Sequence, residues 1–420
     1  MVEPMKRRPT VAFLTSLVPY PPPLNGTMLR VARLSAELSE EFDVAVVCQS
    51  GYEPETLASN WNGGRPFVEI ISVPKPVPDA SRDALWGSPA EVIKSTLATL
   101  LPNRPPRIFD WSWSDRFVGE IRQLLNRRQI DVVWATKSWN AEMARAAGAE
   151  RIIVDIDDFQ GDLLVEQLDE AGMYFRKPFQ RLQARHLVRY ERDLPRRFTS
   201  VAVCKPEDIN HLAPEFRERV HVVPNGVDVP DVVLRANVRP CEMLFVGTLG
   251  WEPNVKGLTS FMTDVLPAIQ RELPDTRLIV AGRGPIPEDL AKLLNRRDVE
   301  LHESPVTLEQ FYERAAISVI PLLSGGGTSI KTIESLAYAL PTVATSIAAR
   351  GLGMEHGRHL LIADSATEMA QHCIRLLKQP DDARVLGENG RDEVVRRLSW
   401  RSVGVQARSV VRELLAASAG

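Results

Sequence analysis

Residues Ser324–Ser346 read SGGGTSIKTIESLAYALPTVATS. The stretch before them, SVIPLL (318–323), has the continuous apolar character of a buried strand. Three glycines then make a turn, TSIKTIESLAYAL (328–340) carries helical periodicity, and PTVATS returns to β-type residues. Strand, glycine turn, helix and strand make one α/β unit. Helix N-termini expose unpaired N–H groups and the positive end of the dipole, so they suit anions. Glycines let the backbone approach a phosphate with no Cβ in the way. Thr328 and Ser329 can cap the helix or offer hydroxyls to the same ligand.

The dipole supplies only about half a charge, whereas a diphosphate diester carries about two negative charges. Lys331, in the first turn, can supply the missing cation. Glu334 would be repelled by a phosphate and should point elsewhere, where a carboxylate is a good bidentate acceptor for a ribose diol. Phosphate first and ribose further along the helix is the layout of a nucleotide. A capped loop with a surface Lys–Glu pair has the same spacing, and spacing alone leaves both readings open.

Outward from this unit the same alternation fills the chain. TVAFLTSL, DVAVVC, DVVWAT, RIIVDI, SVAVC and VHVVP read as strands before residue 225, and MLFVGTLG, RLIVAGRG, VELHES and ISVIPLL after it. Runs without period-two alternation point to parallel sheets covered on both faces. A break at VVPNGVDVPDVVLRANVRPCEM separates two α/β halves, as expected for 420 residues. A helical tail, SWRSVGVQARSVVRELLAAS, closes the sequence. In such sheets ligands bind beyond the carboxyl ends of the strands.

The formal charge of -3 argues against a nucleic-acid partner. Four scattered cysteines, with no CxxC and no histidine cluster, are neither a disulfide framework nor a zinc site and fit a reducing cytoplasm. The opening MVEPMKRRPTVAFLTSLVPYPP is too short in its apolar part and too rich in proline for a signal peptide. No run approaches the ~18 apolar residues of a membrane span. PYPPPLNGTM, after the first strand, lacks the GxGxxG spacing of a nicotinamide dehydrogenase.

Taken in order, VVPNGVD, LFVGTLGWEPNVKGL, LIVAGRGP, VTLEQFYERAAISVIPL and GGGTSIKTIESLAYALPTVATS resemble the second domain of the family 4 (group 1) retaining glycosyltransferases. PYPPPLNGTMLRVARLSAEL and RYERDLPRRFTSVAVCKPEDINHL resemble elements of that family's first domain. The likeness is strong over residues 220–352 and looser over 50–150. It implies the α/β GT-B fold, two Rossmann-like domains whose parallel sheets face a central cleft. Residues 1–225 would form the N-terminal, acceptor-side domain and 226–395 the C-terminal, nucleotide-sugar-binding domain. Residues 396–420 would be a helix crossing back to the first.

The resemblance also implies roles. Glu334 becomes the second glutamate of the family's paired motif and binds the ribose; Lys331 binds the diphosphate and serves catalysis; amides at Gly326, Gly327 and Thr328 receive phosphate or sugar oxygens. The backbone near Val306, in HESPVT, would hold the nucleobase, and Gly26 would bring an amide to the donor. Lys256 is a second phosphate candidate, with an exposed lysine after a turn as its plain alternative. Two positions depart from the pattern: Gly326 stands where the first glutamate lies, and Thr248 where many members have arginine.

DIDD, Asp155 to Asp158, ends a strand and so opens where ligands bind; Asp157 or Asp158 could orient a sugar or acceptor hydroxyl, with a capped turn as the structural alternative. Many relatives have a histidine near here and this chain does not. No metal site is expected, and no cofactor beyond the nucleotide-diphosphate sugar as donor substrate. The expected function is retaining, metal-independent transfer of a sugar to a glycan, lipid-linked or small-molecule hydroxyl. The expected location is the cytoplasm, with weak peripheral contact at the inner face of the membrane through Arg181, Arg185 and Arg189. A solvated helix face explains those arginines more cheaply. The alternatives are a GT-B sugar-nucleotide epimerase and a nucleotide-binding pseudo-enzyme.

Overall fold

The computed structural model describes residues 7–16, 26–50, 52–59, 66–74, 105–106, 109, 112–170, 177–231 and 237–417. Most of the PYPPPLNG loop and part of the linker after Pro230 lie outside the described residues. The chain divides into two compact units, Met1–Pro224 with Val403–Gly420, and Asn225–Ser402.

The first unit has seven parallel strands: β1 (Thr10–Thr15), β2 (Asp43–Gln49), β3 (Glu69–Val73), β4 (Val132–Thr136), β5 (Ile152–Ile156), β6 (Ser200–Val203) and β7 (Val220–Val222). Their order is β3-β2-β1-β4-β5-β6-β7. The order reverses between β1 and β4, so the crevice of this sheet opens beyond the carboxyl ends of β1, β4 and β5. Helices α1 (Gly26–Ser39), α2 (Asp115–Arg127), α3 (Ser138–Ala147), α4 (Gln160–Glu170) and α5 (Lys177–Arg192) cover it. β1, β4, β5 and β6 are buried at every position, the consequence of helices on both faces that the continuous apolar runs imply. One face packs Ala12, Leu14, Val47, Val133, Val154 and Ile156 against Phe117, Ile121 and Leu124 of α2.

The second unit has six parallel strands, β8 (Arg239–Thr248), β9 (Arg277–Arg283), β10 (Val299–Glu303), β11 (Ala315–Ile320), β12 (Thr342–Ala344) and β13 (Leu361–Ile362), in the order β10-β9-β8-β11-β12-β13. Here the reversal lies between β8 and β11, which places the crevice after Thr248 and Ile320. Its helices include α6 (Glu252–Ser260), α7 (Glu309–Arg314), α8 (Ile330–Ala337), α9 (Ala366–Lys378) and α10 (Pro380–Arg397). Met243 and Phe245 of β8 face one core layer, Leu244 and Val246 the other.

Helix α8 is shorter than the 328–340 expected. Ala339 adopts φ 51°, and the N–H groups of Ala339 and Leu340 bond back to Leu336 and Ser335, closing the helix before Pro341. The last helix, α11 (Trp400–Ala416), begins in the second unit, not at residue 396. Val227 donates its N–H to the Leu398 carbonyl at 2.9 Å, and Trp400 donates to the Val227 carbonyl at 3.1 Å. From Val403 the helix belongs to the first unit, where Arg408 donates to the carboxylate of Glu37 on α1 at 2.8 Å. Among the described residues no helix is long and apolar enough to cross a membrane.

Candidate active site

The loop after β11 reaches α8 through Gly325, Gly326 and Gly327. Gly325 has φ 139°, a conformation side chains disfavour, and Arg350 fixes its carbonyl at 2.7 Å. Ser329 is the N-cap of α8, but no side chain caps the helix. The Ser329 hydroxyl instead receives Thr332 at 2.8 Å, and the Thr328 hydroxyl accepts from Asn225 at 2.6 Å. The Thr332 amide takes the Ser329 carbonyl at 3.0 Å, and the Ser329 side chain caps none of the first amides of α8.

Lys331 sits in the first turn of α8. Its ammonium donates to Oδ1 of Asn254 and lies 5.4 Å from the ring centre of Phe245 and 5.6 Å from that of Trp251. Burial lowers its pKa to about 7, with Glu334 opposing the shift. One turn on, Glu334 accepts from the Tyr312 hydroxyl at 3.1 Å, and Tyr312 stacks on Tyr338 with ring centres 4.7 Å apart. Burial raises the Glu334 carboxyl to about 7, against the pull of Tyr312 and Lys331. A half-buried ammonium and a carboxyl at the limit of ionisation lie one helical turn apart, beside uncapped amides. This arrangement is not a solvated surface pair.

The other residues expected in this unit lie on other elements. Val306 is fully exposed in the loop after β10, two strands away from β8 in the sheet. Lys256 lies on α6 and pairs with Glu252 at 2.9 Å, both exposed to solvent. Asn254, two residues earlier and buried, reaches Lys331 instead. Asn254, Tyr312 and Trp251 were not singled out from sequence, although all three fall in the motif stretches WEPN and EQFYERA.

In the first unit, Gly26 opens α1 and is exposed. The next residue, Thr27, donates to Oδ2 of Asp157 at 2.7 Å, and Lys137 donates to its Oδ1. Asp157 is buried, but Lys137 and Thr27 hold its carboxyl below the usual range. Lys137 has φ 68°, a strained conformation that sets its side chain after β4. Asp158 differs: its Oδ1 is buried without a hydrogen-bond partner, and burial with the neighbouring Asp157 charge raises its pKa to about 6. Asp155, the first acid of the same run, is structural. Its carboxylate is buried and paired with Arg30 of α1 at 2.7 Å. The run DIDD therefore divides into an anchor, a paired carboxylate and an open carboxyl. Arg181, Arg185 and Arg189 lie on the exposed face of α5.

Among the described residues no group of three or more His, Cys, Asp or Glu is arranged to hold a metal ion.

Residues 240–379 match the family model for glycosyl transferases group 1, and residues 25–226 match that for the glycosyl transferase 4-like domain. A protein of the Klebsiella pneumoniae cps region, described as an uncharacterized 44.6 kDa protein, is 33% identical over 145 residues, 33% of this chain and 37% of the relative. The MMP alpha-(1->4)-mannosyltransferase of Mycolicibacterium hassiacum is 25% identical over 259 residues, 59% of this chain and 61% of the relative. These matches span less than two thirds of the curated relatives' length. HepE of Anabaena, solved in complex with UDP and glucose, superposes with a TM-score of 0.62 and 13% identity, covering 97% of this chain and 99% of HepE. That likeness is one of fold: two parallel-sheet α/β units of the GT-B class.

Proposed function

This chain belongs to the group 1 glycosyltransferases, and on that premise we propose that it moves a sugar from a nucleotide-diphosphate sugar to an acceptor hydroxyl in glycoconjugate biosynthesis. The observation that carries the reading is α8, whose uncapped N-terminus, Lys331 and Glu334 follow one another along a single helix. The diphosphate meets the amides near Gly326, Gly327 and Thr328 and the ammonium of Lys331. The ribose diol meets Glu334, oriented by Tyr312. The mannosyltransferase named above and the UDP and glucose held by HepE support a nucleotide-linked sugar as donor class.

The reaction proceeds with retention. The acceptor oxygen attacks the anomeric carbon on the face that the diphosphate leaves. The carbon–phosphate oxygen bond breaks, and a diphosphate oxygen takes the acceptor's proton. Charge then builds on the leaving group, where Lys331 and the α8 amides stabilise it. Glu334 acts in binding.

Stereochemistry tests this reading without knowledge of the acceptor, because water can take its place slowly. Each of UDP-glucose, GDP-mannose, ADP-glucose and dTDP-glucose is incubated with the chain, and the freshly released sugar is followed by NMR. Release in the donor's own anomeric configuration, within about twofold of the same rate in excess chelator, is expected. An inverted sugar, or loss of release on chelation, rules out the proposed mechanism. Conversion of the donor to its epimer supports the epimerase reading instead.

Replacing Glu334 by alanine removes the ribose contacts. It should weaken nucleoside diphosphate binding by about ten- to a hundredfold, or roughly 1.5–3 kcal/mol by calorimetry. Binding indifferent to the substitution would exclude Glu334 from the site.

A further inference from the structure

Lys331 is surrounded almost entirely by neutral groups. Its ammonium meets the Asn254 carboxamide and the faces of Phe245 and Trp251. The charged group beside it is Glu334, on its own helix, with the Tyr312 and Tyr338 phenols and Asp228 acting on Glu334 in turn. Asn254 is 2% exposed. Its Nδ2 donates to the Thr248 carbonyl at 2.9 Å, which fixes the amide orientation and leaves Oδ1 to accept from Lys331. The backbone is shaped around this pair: a Cβ on Gly247 would lie 2.6 Å from Nδ2 of Asn254 and 3.2 Å from Nζ of Lys331. α6 reaches that position because Gly257 passes the Pro321 carbonyl where a Cβ would stand 2.2 Å away.

We propose that Asn254 is the positioning residue for Lys331, aiming its ammonium at the donor diphosphate through a neutral carboxamide that leaves the positive charge available to an anion. A carboxylate at the same place would also hold the lysine, but it would neutralise the charge and repel the phosphates. Neutral holding is the distinguishing chemistry. The inference rests on the reading that Lys331 meets the diphosphate.

The test compares Asn254→Asp with Asn254→Leu. The first is nearly isosteric and keeps the acceptor for Lys331, while it adds charge and loses the donor to the Thr248 carbonyl; the second removes both donor and acceptor, so the loss of the Thr248 bond is common to the two and the charge distinguishes them. Affinity is measured across about pH 5.5 to 8.5 for whichever of UDP-glucose, GDP-mannose, ADP-glucose and dTDP-glucose binds the wild type best. These diesters have no phosphate that titrates in that range.

Asn254→Asp should weaken binding by about tenfold or more at neutral pH. It should also move the alkaline fall in affinity, which reports loss of the Lys331 proton, to higher pH. Asn254→Leu should weaken binding and move that fall to lower pH. A merely structural role would lower affinity evenly and leave the profile in place. Affinity within twofold in both variants, or weaker binding with an unmoved profile, overturns the proposal. Lys331→Met separates the two readings: if it binds the probe as wild type does, the diphosphate reading has failed. If it loses binding while the Asn254 profiles stay fixed, only the positioning role has failed.

Discussion

Replacing Lys331 by methionine should lower turnover of the nucleotide-sugar donor by about a hundred- to a thousandfold, the loss typical of removing one preorganised donor to developing charge. It should also make the unliganded chain more stable. Methionine keeps the length of the stem and removes the ammonium. Folding buries that ammonium and brings its pKa from 10.5 to about 7, so the unfolded chain holds the proton more tightly than the folded one. The lysine therefore costs stability below pH 10.5, increasingly as pH falls, until the cost levels off below about pH 7. The gain in the variant should be on the order of 1–3 kcal/mol at neutral pH and vanish in strong alkali.

Donor binding has its own sign. Lys331 must be charged and Glu334 ionised, so affinity in the wild type falls as pH rises and as it falls through about 7. The methionine variant should lose the alkaline limb and keep the acid one. Paired thermal melts and donor titrations check both limbs. A variant that loses stability and keeps its turnover would show that Lys331 is packing, not chemistry.

The second large effect is on the fold. Replacing Arg30 by methionine should destabilise the chain by about 3–5 kcal/mol, because it strands a buried carboxylate. Arg30 and Asp155 side chains are each 1% exposed. The guanidinium spans Nε and Nη2 to the carboxylate at 3.1 and 2.7 Å, and donates to the carbonyls of Val223 and Pro224 at 2.8 and 2.9 Å. Burial opposes the arginine's charge, yet Asp155 more than offsets it and holds the pKa above the ordinary value. Trp134 adds an indole N–H to the same carboxylate at 3.3 Å. One pair thus ties α1, β4, β5 and the segment after β7.

Adding Asp155→Leu should recover part of the loss, since the stranded charge is gone. Recovery should stay incomplete, because two carbonyls still lack their donor. Urea midpoints of the wild type, the single variant and the double variant decide this. A single variant within about 1 kcal/mol of wild type would remove the pair from the account of the fold.

The strands were legible in sequence because burial on both faces imposes unbroken apolar runs, as in VAFL of β1 and LIVA of β9. β3 was not read: all its residues but Val73 are only half-buried at an edge of the sheet, so EIISV carries a weaker version of that signal. The order of Gly326, Gly327, Thr328, Lys331 and Glu334 along one loop and helix was also readable, since adjacency there is local.

What surrounds them was not readable. Asn254 reaches Lys331 across 77 positions, and Tyr312 reaches Glu334 across 22, so neither pairing leaves a periodic trace. The three acids of DIDD look alike in sequence and differ only through distant partners: Arg30 for Asp155, Thr27 and Lys137 for Asp157, and no hydrogen-bond partner for Oδ1 of Asp158. Arg30 did leave one clue, a charge one turn before Leu34 on the apolar stripe of α1.

The most direct test of the central claim is calorimetric titration of UDP, GDP, ADP and dTDP into the wild-type chain and Lys331→Met. The account predicts one preferred nucleoside diphosphate and a loss of about tenfold or more in the variant. No binding to any of the four, or binding unchanged without Lys331, would contradict it.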